Sequence, residues 1–128
     1  MHKSQLAGFI IDCQTDDVSL PAAADFWSAA LGMPRRPLSA AEEDRYVGLD
    51  DPQRRVHVEV QAVDHASRVH LDIESNDIEA EVRRLEALGA TRVRAIHTWV
   101  VMQAPSGHRF CVVRPQSATF EQTATRWP

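Results

Sequence analysis

Apolar positions recur along the chain with two rhythms, and the switches between them mark the elements. Ala23, Phe26, Trp27, Ala30 and Leu31 fall at i, i+3, i+4, i+7 and i+8, which predicts a helix with one buried stripe. Pro21 sits near its first turn, where a missing N–H costs nothing. Gly32 can take the left-handed conformation that ends the helix, and Pro34 prevents its resumption. Ile78, Val82, Leu85 and Leu88 make the stripe of a second helix, with Asn76 and Glu79 as a capping box and Gly89 as its stop. Between them, short alternating or β-branched runs predict strands at about 7–14, 35–39, 44–50, 55–61, 67–74, 91–96, 98–103 and 109–114.

The order of elements repeats. Ile11-Asp12-Cys13-Gln14-Thr15-Asp16-Asp17-Val18 aligns with Leu71-Asp72-Ile73-Glu74-Ser75-Asn76-Asp77-Ile78, Leu31-Gly32 with Leu88-Gly89, and Asp51-Pro52 with Ala104-Pro105. Each half reads strand, helix, strand, strand, strand, a βαβββ module, at about 7–62 and 66–115. A half-repeat leaves its own sheet edges open. Two of them therefore predict a single α+β domain over 1–115: a curved, partly open, barrel-like mixed sheet with helices outside. The tail, 116–128, is polar apart from Phe120 and Trp127, which could anchor it on the body or across a dimer; a frayed end is the alternative.

Alternation sorts the strand side chains by face. Val69, Leu71 and Ile73 should pack on the helices, as should Phe9, Ile11 and Cys13, then Val56, Val58 and Val60, then Phe110 and Val112. The opposite, cavity-facing set combines Ile10, Asp12, His57, Glu59, His70, Asp72, Glu74, Arg109 and Cys111.

Composition narrows the function classes. A net charge of -4 and an isoelectric point near 5.8 argue against nucleic-acid binding, and Arg54-Arg55 and Arg83-Arg84 read as solvated surface. No apolar run is long enough for a membrane span, and the opening residues lack a signal-peptide pattern. Two cysteines make no disulfide framework and suit a reducing cytoplasm. His57, His65, His97 and His108 show no metal-ligand spacing and are expected on the surface. Gly107 reads as a turn residue rather than part of a phosphate loop, and no serine sits in a nucleophile elbow.

Longer motifs carry a family resemblance. His70-Leu71-Asp72-Ile73, the helix ending Glu86-Ala87-Leu88-Gly89-Ala90, and the hairpin from Trp99 through Pro105-Ser106-Gly107-His108-Arg109-Phe110-Cys111 resemble the second module of the glyoxalase/bleomycin-resistance (vicinal oxygen chelate) superfamily. Phe26-Trp27 with Leu31-Gly32 resembles the helix of its first module. The resemblance implies a small-molecule site, a homodimer, and in metal-using members ligands on the first, fourth, fifth and eighth strands. Those positions are Ile10, Glu59, His70 and Cys111 here. Ile10 has no donor atom, and Cys111 replaces the usual carboxylate. His70 and Glu59 are thus the implied pair for a divalent Zn, Ni, Mn or Fe ion, while the residues resemble a glyoxalase-like branch with Cys at the last ligand position, in which metal dependence is not evident. Asp72 is the candidate proton carrier, and Ile10, His70, Trp99 and Cys111 the candidate substrate contacts.

Plainer roles compete with each of these. His70 could simply hydrogen-bond Asp72, Glu59 could be solvated, Cys111 could be a small buried filler, and Trp99 could be core. Two functions follow from the resemblance: a lyase or isomerase acting on a small oxygenated metabolite, with or without metal, or a non-catalytic ligand- or antibiotic-binding protein. A dimeric module with a vestigial cavity is a third.

Overall fold

The computed structural model describes residues 1–36, 45–53 and 56–128. Their order is β1 (Lys3–Gln14), α1 (Leu20–Leu31), β2 (Tyr46–Leu49), β3 (His57–Val63), β4 (Arg68–Ser75), α2 (Ile78–Ala87), β5 (Thr91–Ile96), β6 (Trp99–Gln103), β7 (Arg109–Val113), α3 (Phe120–Thr123) and β8 (Thr125–Arg126). The strands form one mixed sheet in the order β2-β3-β1-β4-β7-β6-β5, with β8 added beside β1. The α+β class and the mixed sheet are as expected. β1 starts four residues before the expected boundary, and β8 was not foreseen. Of the strand expected at 35–39, Arg35 makes an isolated bridge to Leu49, while 37–39 lie outside the described residues, as do Arg54 and Arg55.

The chain forms two compact units, Phe9–Val69 and Met1–Gly8 with His70–Pro128. In the first, α1 lies on a core of Cys13, Leu20, Ala23, Ala24, Val47, Leu49, Val58 and Val60, with Ile11, Trp27 and Val56 packed against it. The helix begins at Ser19, whose hydroxyl accepts from the Ala22 amide, and carries Pro21 in its first turn. Its buried stripe corrects the sequence expectation. Leu20, Ala23, Ala24 and Trp27 face inward, whereas Phe26 (62%) and Leu31 (45%) are exposed, as is Ala30. The paired alanines let the helix sit close to the strands, which turns the wider side chains onto its flank. There the Phe26 ring meets Trp27 edge-on at 5.1 Å.

Gly32 ends α1 with φ 66° and ψ 31°. A methyl group at this position would touch nothing within 4 Å, so Gly32→Ala isolates the conformational term. We expect a loss of about 1 kcal/mol in urea unfolding, with an unchanged slope. A neutral result would mean that the turn relaxes out of the left-handed region.

In the second unit, α2 covers Val82, Leu85, Ala90, Met102, Phe110 and Val112, with Ile73, Ile78 and Val100 at the margin. Its cap is Asp77, whose carboxylate accepts from the Ala80 amide. The expected cap, Asn76, is instead engaged by the Lys3 backbone amide through its side-chain oxygen. Gly89 follows the helix at φ 108°, the expected stop. Leu88, expected in the stripe, is 67% exposed because the helix ends at Ala87 and the chain turns away. Val69 and Leu71 are also exposed, at 59% and 42%, against the expectation that they pack on the helices. A ten-residue helix spans about 15 Å, and of β4 only Ile73 reaches its core.

Arg84 is a further correction. Instead of pointing into solvent, its guanidinium pairs with both oxygens of the fully buried Glu81 and lies 3.7 Å over the Trp127 ring. His2 and Ser4 complete the Glu81 contacts at 2.7 and 2.8 Å, and the Trp127 indole donates to the Ser4 hydroxyl. Burial pushes the Glu81 carboxyl up, but these hydrogen bonds and the Arg84 charge outweigh it and hold its pKa below the ordinary value. The tail is therefore docked, through Trp127 and the buried Phe120.

Candidate functional site

β4 and β7 run parallel, in a register that sets Asp72 opposite Cys111 and Glu74 opposite Val113. Residues two apart on a strand share a face, so His70, Asp72 and Glu74 form a row on β4 with Cys111 beside it on β7. Ile73, Phe110 and Val112 point the other way into the α2 core. The alternation read from the sequence holds here, and it is what leaves a polar row under cover.

One imidazole nitrogen, one carboxylate oxygen and the thiol sulfur of His70, Asp72 and Cys111 lie within 4.8 Å of one another. His70 Nε2 is 3.5 Å from Asp72 Oδ1, and the two side chains are only 12% and 8% exposed. Among the described residues, Asp72 Oδ1 nevertheless accepts no hydrogen bond. A buried carboxylate oxygen without a donor is costly, and a cation or a proton-bearing ligand group would satisfy it.

The donors fit a metal ion. Zinc takes nitrogen, oxygen and sulfur at about 2.0–2.3 Å, and three protein ligands leave a position open for water or substrate. The thiolate favours zinc among the expected ions and disfavours hard Mn. His70, Asp72 and Cys111 would hold it, which puts Asp72 and Cys111 in the donor set beside His70. The cysteine, which sequence reasoning could treat as filler, is thus drawn next to a carboxylate and an imidazole.

Glu59, on β3 of the other unit, has its carboxylate 2.7 Å from His57 Nε2, and both side chains are half-buried. His57 is therefore not the surface histidine expected. Ile10 is buried on β1. Trp99 is half-buried at the start of β6, its ring tilted against His97 at 5.6 Å. Gly107 sits in the β6–β7 turn at φ 91°, as read.

A family model described as a glyoxalase-like domain matches residues 9–113. The chain belongs to the glyoxalase-like domain family. Solved structures support the same fold. A methylmalonyl-CoA epimerase from Mycobacterium tuberculosis is 17% identical, with a TM-score of 0.58 and 87% of each chain covered. A hypothetical protein from Bacillus halodurans is 12% identical at a TM-score of 0.60, covering 89% of this chain and 97% of that one. A glyoxalase/bleomycin resistance protein/dioxygenase superfamily member from Vibrio splendidus is 20% identical at 0.51, covering 85% and 98%. No curated protein matches in sequence. At these identities the structural neighbours of the glyoxalase-like chain speak to fold alone.

Glu74 is a residue of this face to which sequence reasoning gave no role. It is fully buried and accepts from the Gln116 and Ser117 amides at 2.8 and 2.9 Å and from the Ser117 hydroxyl. Its signal was its place in the His70, Asp72, Glu74 alternation.

Proposed function

We propose that this glyoxalase-like protein is a lyase or isomerase that moves a proton on a small oxygenated metabolite at His70, Asp72 and Cys111. The observation that carries this reading is the convergence of the three groups around an Asp72 oxygen that, among the described residues, accepts no hydrogen bond. A divalent ion held there, zinc by its ligand chemistry, would supply Lewis acidity toward a developing oxyanion. The chain's own part is positional. Parallel pairing fixes Asp72 against Cys111, His70 sets the second polar direction, and burial keeps competing water from the carboxylate. Asp72 is then placed to take a proton from a carbon next to a carbonyl and return it.

Glu59 remains a candidate ligand and Ile10 and Trp99 candidate substrate contacts within this proposal. The buried, donor-free Ile10 also favours a second reading, a non-catalytic protein that binds an intact ligand through apolar contact. Two free thiols support a reducing, cytoplasmic setting. Among the described residues no helix is long and apolar enough to cross a membrane. Exposed Leu6 and Leu71 support a homodimer.

The test is incubation with α-oxoaldehydes, vicinal diols and planar aromatic compounds in deuterated water, followed by NMR. Deuterium incorporation or turnover that disappears in Asp72→Asn supports the enzyme. Tight binding of an unmodified ligand supports the second reading and rejects the first.

A further inference from the structure

The polar row on β4 does not end at Asp72. Glu74 lies one pleat period further along the same face, roughly 7 Å away. β7 ends at Val113, the cross-strand partner of Glu74. Within four residues the chain has doubled back, so that the Gln116 and Ser117 amides and the Ser117 hydroxyl all donate to the Glu74 carboxylate. Gln5 adds a longer contact at 3.4 Å. The chain after β7 therefore crosses the very face that carries His70, Asp72 and Cys111, one step beyond them.

The rest of the segment is fastened as well. Lys3 Nζ binds the Glu121 carbonyl and carboxylate at 2.9 and 3.0 Å, Thr123 Oγ1 donates to the Gln5 side chain at 2.8 Å, and β8 pairs with Lys3 and Ser4 of β1. Phe120 is 3% exposed. A frayed tail would need none of these contacts. An acceptor-only carboxylate buried to this depth needs donors, and among the described residues those that reach it come from the tail and Gln5.

We propose that residues 116–123 form the end wall of the ligand site, latched by Glu74, and that this wall limits ligand length. The inference rests on the reading that the His70, Asp72 and Cys111 face receives a ligand. Glu74 is on this account a positioning residue: it touches the wall and not the ligand.

The experiment uses the full-length chain with Cys13→Ser, which leaves Cys111 as its only thiol. Cys111 is alkylated with iodoacetamide and, separately, with a bulky dye maleimide. The same rates are measured in Glu74→Ala and in Ser117→Pro, the second of which removes two donors while leaving Glu74 intact. Release of the latch should speed the bulky reagent about tenfold while changing the small one little. Equal acceleration of both reagents would indicate general loosening and overturn the wall. No change, with the tail shown to be freed by limited proteolysis, would overturn it too. Unfolding of both variants would make the segment a folding element and reject the proposal. A chain that binds neither metal nor metabolite leaves the ratio of rates unaffected, so the two readings fail separately.

Discussion

Glu81→Ala is expected to cost about 3–5 kcal/mol of folding stability, the largest loss of any single substitution considered for this chain. The carboxylate is fully buried on α2 and holds three partners: His2 and Ser4 from the start of the chain and Arg84 one turn along the helix. Removing it leaves the half-buried Arg84 charge beneath Trp127 and strips the Ser4 hydroxyl of its acceptor. Both ends of the chain should loosen together, because Trp127 also donates to Ser4. Urea unfolding followed by tryptophan fluorescence measures the loss. A cost below about 1 kcal/mol, the scale of an exposed ion pair, would show that the network is solvated.

The same group sets a pH dependence. The Glu81 pKa is lower folded than unfolded, so its contribution is fully present above the unfolded value, about 4.3. It is lost as the pH falls through the folded value. Acid should therefore destabilise the wild type more steeply than Glu81→Gln, and the two stability curves should converge at low pH. Parallel curves would assign acid unfolding to other carboxylates.

Asp72→Asn should have the opposite sign. Asp72 Oδ1 is buried and, among the described residues, accepts no hydrogen bond, its nearest partner being His70 Nε2 at 3.5 Å. A neutral amide of the same shape should raise stability by about 1 kcal/mol in the metal-free protein. It should also weaken zinc by about a hundredfold or more, since one of three anionic or neutral donors is lost. Stability gained with binding lost is the pattern of a residue kept for function. Destabilisation with metal affinity unchanged would mean that Asp72 is a structural hydrogen-bond partner and nothing more.

Much of the architecture was legible in the sequence because it rests on local chemistry. Gly32 and Gly89 stop the helices where their positive φ is needed, and the two-residue alternation put Ile73 and Val112 on one face and Asp72 and Cys111 on the other. What failed depended on tertiary competition. Asn76 is a good cap in isolation, but the Lys3 amide claims it and Asp77 takes over. Phe26 and Leu31 fit a helical stripe, yet the alanines beside them allow closer packing. Glu81 sits three residues after Ile78 and one before Val82, inside the buried stripe. A charge at such a position was a readable sign of an internal ion pair, although its partners from residues 2, 4 and 84 were not. The site was half visible. Parity selected His70, Asp72 and Cys111, but the parallel register that joins β4 to β7 pairs residues about forty apart, and no local pattern encodes that.

The most direct test of the account is the metal content of untagged protein, with cobalt and zinc titrations of the apoprotein beside it. The account predicts one ion per chain, a sulfur-to-cobalt charge-transfer band in the near ultraviolet, and loss of both in His70→Ala and of the band in Cys111→Ser. Protein that retains no ion and is not stabilised by Zn, Ni, Mn or Fe would contradict it and leave a metal-free binding pocket in its place.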